Sequence, residues 1–197
     1  MSGLNLVRVL IAAFAVLCFS AAAAAPGETV LLVAKRQLDD DPLWNSTILI
    51  AKPVEGGGYV GFIVNKPTTM SLGEMFPEHA PSKKVADPLF LGGTVDINRV
   101  FALVERHASA KDSAILVAPD LFLAYDSNAV DHIIESESDH ARFFLGLVVW
   151  RPGQLDDELE RGLWYVQKPE AALVLRRKTD NLWEELVRHA EDMANSI

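Results

Sequence analysis

Cysteine is nearly absent from this chain, because Cys18 is the only one among its 197 residues. It lies in an apolar N-terminal stretch, and the large Leu17 before it does not suit a lipoprotein site. Without that stretch, the chain has no disulfide, no thiolate nucleophile and no cysteine ligand for a metal. This composition suits an oxidising compartment such as the periplasm.

Charge is also scarce in the first 25 residues, where Arg8 is the only charged side chain. The apolar run Val9–Phe19 and the small residues Ser20–Ala25 follow it, in the order expected of a signal peptide. The run is shorter than the roughly 20 apolar residues that span a bilayer. We predict a signal peptide over 1–25, a single domain over 26–197 without a transmembrane anchor, and a periplasmic or secreted location. The alternative is an uncleaved anchor.

Several catalytic and metal-binding patterns are missing. No Gly-x-Ser-x-Gly elbow, Ser-x-x-Lys pair or His-Glu-x-x-His helix occurs. Neighbouring Asp131–His132 and Asp139–His140 point apart on a helix, so we interpret them as a solvated acidic face rather than metal ligands. Gly56, Gly58 and Gly61 match a dinucleotide fingerprint, but a strand follows them instead of a helix, which favours a hairpin turn. We therefore expect no metal and no cofactor, and the catalytic residues stay unknown.

Acidic residues dominate the charge, with a net value of −9 that becomes −10 once Arg8 is removed. An acidic chain repels phosphate backbones, so nucleic acid is an unlikely partner. The basic run Arg176, Arg177 and Lys178 is interpreted as a solvated strand end.

Alternating and β-branched segments predict many short strands. They lie over Glu28–Ala34, Ser46–Ala51, Tyr59–Asn65, Leu89–Leu91, Val100–Arg106, Ala114–Ala118, Leu121–Tyr125, Arg142–Trp150, Leu163–Val166 and Ala172–Arg176. Helices are predicted within Thr68–Phe76, from Ser127 to Ser136, over Gln154–Arg161 and from Asn181 onward. Ser71 and Glu74 are placed for a capping box in the first of these helices, and Ser127 is placed to cap the second. The last helix has an apolar stripe of Leu182, Leu186, Ala190 and Met193. This order predicts an α/β (α+β) fold: one mixed, barrel-like β-sheet flanked by short helices, with Arg142–Trp150 as a central strand buried on both faces.

The double glycine Gly92–Gly93, followed by Asp96 and Arg99, has two interpretations. Glycine N–H groups can form an anion nest, with the arginine as a bidentate partner. Alternatively, the segment is a structural turn in which Arg99 pairs with Asp96 or binds a backbone carbonyl.

Three spaced motifs resemble the AlgH/YqgE family. They are the glycine turn and strand Gly58–Pro67, the double-glycine segment Gly92–Arg99, and the tryptophan-flanked segment Leu145–Trp164. The resemblance implies a compact α/β fold with a barrel-like sheet and surrounding helices, no agreed catalytic residues, and a transcriptional-regulator label that the acidic charge does not support. Family members are usually cytoplasmic. This chain departs from the motifs at Thr94 and Gly162.

We predict a non-enzymatic, exported binding or regulatory module with an unknown protein or small-molecule partner. The binding residues expected are Asn65, Arg99 and Gln154, with Gly92 and Gly93 shaping the backbone.

Two other functions remain open. The first is a small-molecule enzyme, hydrolase-like, that uses the Gly-Gly/Arg site and takes Asp96 or Asp156 as a general base. The second is a transcriptional regulator. Trp150 and Trp164 are interpreted as core residues beside Gln154 rather than as groove walls.

Overall fold

The computed structural model describes residues 27–105 and 114–195, so the predicted signal peptide lies outside the described residues. Strands are the commonest regular structure in this part of the chain. They are β1 (Val30–Ala34), β2 (Ile48–Pro53), β3 (Tyr59–Ile63), β4 (Pro67–Ser71), β5 (Pro88–Leu91), β6 (Val95–Glu105), β7 (Ala114–Ala118), β8 (Leu121–Ala124), β9 (Ala141–Trp150) and β10 (Trp164–Gln167).

Short helices connect the strands. They are α1 (Leu72–Met75), α2 (Ser127–Ser136), α3 (Gln154–Glu160), α4 (Ala171–Val174) and α5 (Leu182–Asn195), with 3-10 turns at Arg36–Leu38, Ser82–Lys84 and Ser138–His140. The predicted capping box of α1 is confirmed, since the Ser71 hydroxyl accepts from the Glu74 N–H and the Glu74 carboxylate accepts from the Ser71 N–H. The cap of α2 was predicted one residue late: Asp126, not Ser127, accepts from the first free N–H groups.

The strands form one mixed sheet in the order β10-β1-β2-β3-β9-β6-β8-β7, with β4 paired to β5. Strand β9 is central, as predicted, because it pairs antiparallel with β3 and β6 and parallel with β5. The sheet curls into a half-barrel, which confirms the predicted single-domain, mixed α+β architecture.

Both faces of the sheet carry buried apolar clusters. Successive residues of β1 alternate between two apolar clusters: Leu31 and Val33 join the one that α5 covers, while Leu32 and Ala34 join the one beside α3. A third cluster packs α2 on β6. Trp183 of α5 also donates its indole N–H to the Ala34 carbonyl at 2.7 Å, which ties the last helix to the first strand.

Two segments differ from the sequence predictions. The predicted strand Ala172–Arg176 is wrong, because α4 is a helical turn in which the Val174 N–H donates to the Glu170 carbonyl. The helical turn forms its own backbone hydrogen bonds, and the Arg142 side chain donates to the Val174 carbonyl, so the segment needs no partner strand. The strand β4 was missed, since its sequence Pro-Thr-Thr-Met-Ser carries no clear apolar alternation.

The predicted apolar stripe of α5 is correct only in its first half. Leu182 and Leu186 are buried, but Met193 is 59% exposed. Trp183 and Val187 take the remaining core positions. The helix therefore packs on the core through its first two turns, and Met193 near its end is exposed.

Candidate functional site

Arg99 lies on a part of β6 that leaves the sheet. Val95 is paired with Leu147, whereas Val100 is paired with Leu145, so four residues of β6 face only Gly146 on β9. Asp96, the first of the four, has a φ of 53°. The extra residues on β6 bend the segment outward and expose its side chains, as in a β-bulge.

The Arg99 guanidinium is held from one side only. Its Nη2 donates to the Tyr125 carbonyl at 2.6 Å, and its carbon lies 5.5 Å from the centre of the Phe101 ring. No carboxylate pairs with it among the residues that the structure describes. Of the two interpretations of this segment, the observed contact is the one in which the arginine binds a backbone carbonyl.

A cleft of about 400 Å³ opens beside this guanidinium. It is lined by Phe76, His79, Asn98, Arg99, Val100, Tyr125, Ser127, Val130 and Asp131. The aromatic rings of Phe76 and Tyr125 are exposed, while Val100 and Val130 form a buried floor. A shallower hollow lined by Asp96 to Arg99 adjoins it. The cleft thus combines apolar walls with a few polar groups, as ligand sites do.

His79 in this cleft is already engaged by neighbouring side chains. Its Nδ1 lies 2.7 Å from the Ser82 hydroxyl, and its Nε2 lies 3.6 Å from the Glu135 carboxylate. These contacts orient the ring. In the described part of the chain, no cluster of three or more His, Cys, Asp or Glu residues could hold a metal ion.

Gly92 and Gly93 serve a close approach between two strands. Their N–H groups donate to the Leu145 carbonyl, at 2.8 and 3.4 Å, rather than pointing together at an open site. A Cβ on Gly93 would lie 2.1 Å from the carbonyl carbon of Leu147. The backbone contacts therefore require glycine here. The predicted role of Gly92 and Gly93 in binding stays a prediction.

Asn65 holds a neighbouring loop in place. Its Oδ1 accepts from the Ile48 N–H at 2.8 Å and its Nδ2 donates to the Ser46 carbonyl at 2.7 Å. The next residue, Lys66, donates to the Asn45 carbonyl at 3.0 Å, and burial lowers the pKa of its ammonium group. The Asn-Lys pair thus fastens the loop before β2, and its predicted role in binding stays a prediction.

Gln154 closes the turn that starts α3. Its Oε1 accepts from the Arg151 N–H at 3.2 Å. The adjacent Trp150 and Trp164 are buried, which confirms their interpretation as core residues. Both indoles donate to the same Glu158 oxygen. Gln154 therefore has a local structural partner, and its role in binding also stays a prediction.

Arg142, which the sequence analysis did not single out, is a charged residue buried in the core. It is 3% exposed, donates to the carbonyls of Val64 and Val174, and stacks 4.2 Å from the Phe90 ring centre. Burial lowers its pKa to about 10, so it stays charged at neutral pH. Its position inside an apolar strand gave no signal of this structural role.

The predicted site residues do not all lie in one site. Asn65 and Gln154 bind local backbone, whereas Arg99 faces the cleft. Sequence reasoning did not place Phe76, Tyr125 or Asp131 in this site, and it interpreted Asp131 only as part of a solvated acidic face. Phe76 follows α1, Tyr125 follows β8 and Asp131 lies within α2, so only the fold brings them together.

The fold and the cleft define a class: a half-barrel α+β domain with an exposed arginine beside its central strands. An AlgH-like family model matches residues 31–194. The chain therefore belongs to the AlgH-like family. No helix among the described residues is long and apolar enough to cross a membrane.

Relatives in several bacteria support this assignment. A UPF0301 protein of Chlorobaculum tepidum is 31% identical, with 83% of this chain and 85% of that protein aligned. One from Myxococcus xanthus is 30% identical, with 83% and 89% aligned. These relatives share the family and nearly the full length.

Solved structures share the fold. The solution structure of the AlgH protein from Pseudomonas aeruginosa superposes with a TM-score of 0.68 at 18% identity, covering 86% of this chain and 91% of that one. The crystal structure of protein DIP2367 from Corynebacterium diphtheriae gives a TM-score of 0.68 at 19% identity, with coverages of 83% and 87%.

Proposed function

We propose that this AlgH-like protein is an exported, non-enzymatic binding module that holds a small ligand by an anionic group in the cleft beside Arg99. The observation that carries the proposal is a guanidinium that has no carboxylate partner within residues 27–105 and 114–195, in a cleft with exposed aromatic walls.

The chemistry of arginine supports an anion at this place. A guanidinium has five N–H donors, and a fork of two can bind one carboxylate or phosphate. The Tyr125 carbonyl and the Phe101 ring hold the Arg99 group in one orientation, which leaves less entropy to lose on binding. The cleft volume lies within the range of small-molecule sites, roughly 300–1,000 Å³.

The test compares ligand retention in two arginine variants. Protein isolated gently from the envelope of its own host would be weighed by native mass spectrometry. We expect a reproducible non-protein mass on the wild type and on Arg188→Gln, whose exposed side chain lies on α5 far along the chain. Arg99→Gln should lose it. Retention of the mass by Arg99→Gln would place the ligand elsewhere.

Export is part of the proposal and has its own measurement. It is supported by the basic, apolar and small-residue order of the first 25 residues. We expect the intact mass of the protein from its host to lack this segment, and the protein to be released with the periplasmic fraction. An intact Met1 on protein from the cytoplasmic fraction would refute export.

An enzymatic role rests on a different observation. Asp96 lines the shallow hollow next to Arg99 and has a φ of 53°, and strained backbone is often found at functional sites. Hydrolysis of a panel of ester, phosphate and glycan substrates by the wild type but not by Asp96→Asn would favour it. Equal, background-level turnover by both would favour the binding module.

A further inference from the structure

The cleft beside Arg99 presents two opposite charges that do not meet. Asp131 of α2 lines it together with the guanidinium. Neither side chain forms an ion pair in the part of the chain that the structure describes. The guanidinium nitrogens of Arg99 and the carboxylate oxygens of Asp131 therefore lie more than 4 Å apart. Two charges that share a cleft unpaired are complementary to a ligand with both signs.

The apolar walls indicate what joins those two charges in the ligand. Phe76 and Tyr125 expose their rings at the cleft, and Val130 forms part of its floor. Aromatic side chains bury the large apolar groups of a ligand and pack well against an aromatic ring. A ligand that fits has a compact apolar body between an anionic and a cationic end.

We infer that the cleft binds a zwitterion of the α-amino-acid class with an apolar side chain, held by Arg99 at the carboxylate and by Asp131 at the ammonium group. The inference rests on the proposed binding function and deepens it. A simple anion is disfavoured, because Asp131 would repel it and the carboxylate would gain no partner. A simple cation meets the same problem at Arg99.

The test uses three ligands with one aromatic body. Phenylalanine is the zwitterion, N-acetylphenylalanine keeps only the carboxylate, and phenylalaninamide keeps only the ammonium group. Their affinities for the wild-type protein would be measured by calorimetry at low salt. We expect phenylalanine to bind about tenfold tighter than either analogue, since each charged hydrogen bond is worth roughly that factor.

Charge-matched variants assign each end. Asp131→Asn should remove the preference for phenylalanine over N-acetylphenylalanine, and Arg99→Gln should remove its preference over phenylalaninamide. Arg188→Gln should change neither preference. Both sites are at the surface, and thermal melts would verify that each variant is folded.

Each other outcome is informative about a different claim. If N-acetylphenylalanine binds as tightly as phenylalanine and Asp131→Asn has no effect, the zwitterion is wrong but an anionic ligand at Arg99 stands. If none of the three ligands binds the wild type, the amino-acid class is overturned. The binding function is then judged by the mass retained on protein from the native host.

Discussion

Glu158 joins the two buried tryptophans of the third sequence motif. One of its carboxylate oxygens accepts from the Trp150 indole at 3.1 Å and from the Trp164 indole at 2.9 Å. The two rings are 2% and 5% exposed, so neither N–H can reach bulk water freely. A single acidic residue therefore satisfies two otherwise unpaired donors at the junction of β9, α3 and β10.

Replacing this acceptor should destabilise the domain strongly. We expect Glu158→Ala to lower the free energy of unfolding by about 2–4 kcal/mol, because each unsatisfied buried donor costs about 1–3 kcal/mol. Glu158→Gln keeps an amide oxygen and should lose less. Urea unfolding followed by tryptophan fluorescence measures both. Glu160→Ala, on the exposed side of α3, is the control, and an equal loss there would contradict the assignment.

Tyr165 gives the domain a defined response to alkaline pH. Burial raises the pKa of its hydroxyl above the ordinary value of 10, and the Glu191 carboxylate that accepts its hydrogen bond raises it further. Well below pH 10 the phenol is neutral in both the folded and unfolded chain. Above pH 10 the unfolded chain releases this proton first, so this group's contribution to stability falls as pH rises.

The Tyr165→Phe variant should therefore lose less stability than the wild type between pH 9 and pH 11. Urea midpoints at several pH values would measure the difference, and Tyr59→Phe controls for the loss of a hydroxyl. Parallel curves for wild type and Tyr165→Phe would show that the group titrates normally in the folded chain.

Among the elements, the crossing of the β5–β6 connection over β9 depends on glycine. Gly93 approaches the backbone of Leu147 closely. Gly146 lies opposite and has a φ of 66°, and a Cβ on it would lie only 2.7 Å from the Gly93 carbonyl oxygen. Backbone atoms cannot move aside as a flexible side chain can. The two glycines thus allow the strands to meet where the Arg99 segment leaves the sheet.

We expect Gly93→Ala to lower the free energy of unfolding by more than about 4 kcal/mol, or to prevent folding. Gly162→Ala is a matched control, since its φ is 69° but its nearest atom is the Lys35 ammonium at 3.8 Å. It should lose only about 1 kcal/mol from its backbone conformation. Circular dichroism and thermal melts compare the two, and similar losses would mean that the close contact relaxes at little cost.

Several elements were predictable because local patterns and tertiary structure agree. The apolar run of β9 and the Ser71–Glu74 capping box carried their own signals. Other features depend on contacts far along the chain. Val174 belongs to an apolar run that reads as a strand, yet α4 turns at that point and its carbonyl meets Arg142.

The candidate site was predictable only in part for the same reason. Arg99 follows a double glycine, which drew attention to it. Phe76, Tyr125 and Asp131 share no motif with it, and the fold alone places them in one cleft. The bulge that exposes Arg99 is a mismatch between two strands, which no single segment encodes.

At the scale of the whole molecule, electrostatics bear on the regulator alternative. The net charge of −9 opposes approach to DNA, where affinity depends on neutralised phosphates. The basic run near the C-terminus does not offset this. Arg176 pairs with Glu185 at 2.9 Å, and Arg177 pairs with Asp87 at 2.5 Å. Two of its three cations are thus already matched by carboxylates.

We therefore expect no DNA binding. Fluorescence anisotropy of a labelled 20-base-pair duplex should stay flat up to about 100 µM protein at 50 mM salt, where basic DNA-binding proteins bind even without sequence preference. The double variant Asp87→Asn, Glu185→Gln frees both arginines and tests whether ion pairing suppresses a latent patch. Binding by the wild type that weakens as salt is raised would contradict this prediction and revive the regulator. Binding by the double variant alone would show that the paired carboxylates, and not the net charge, exclude DNA.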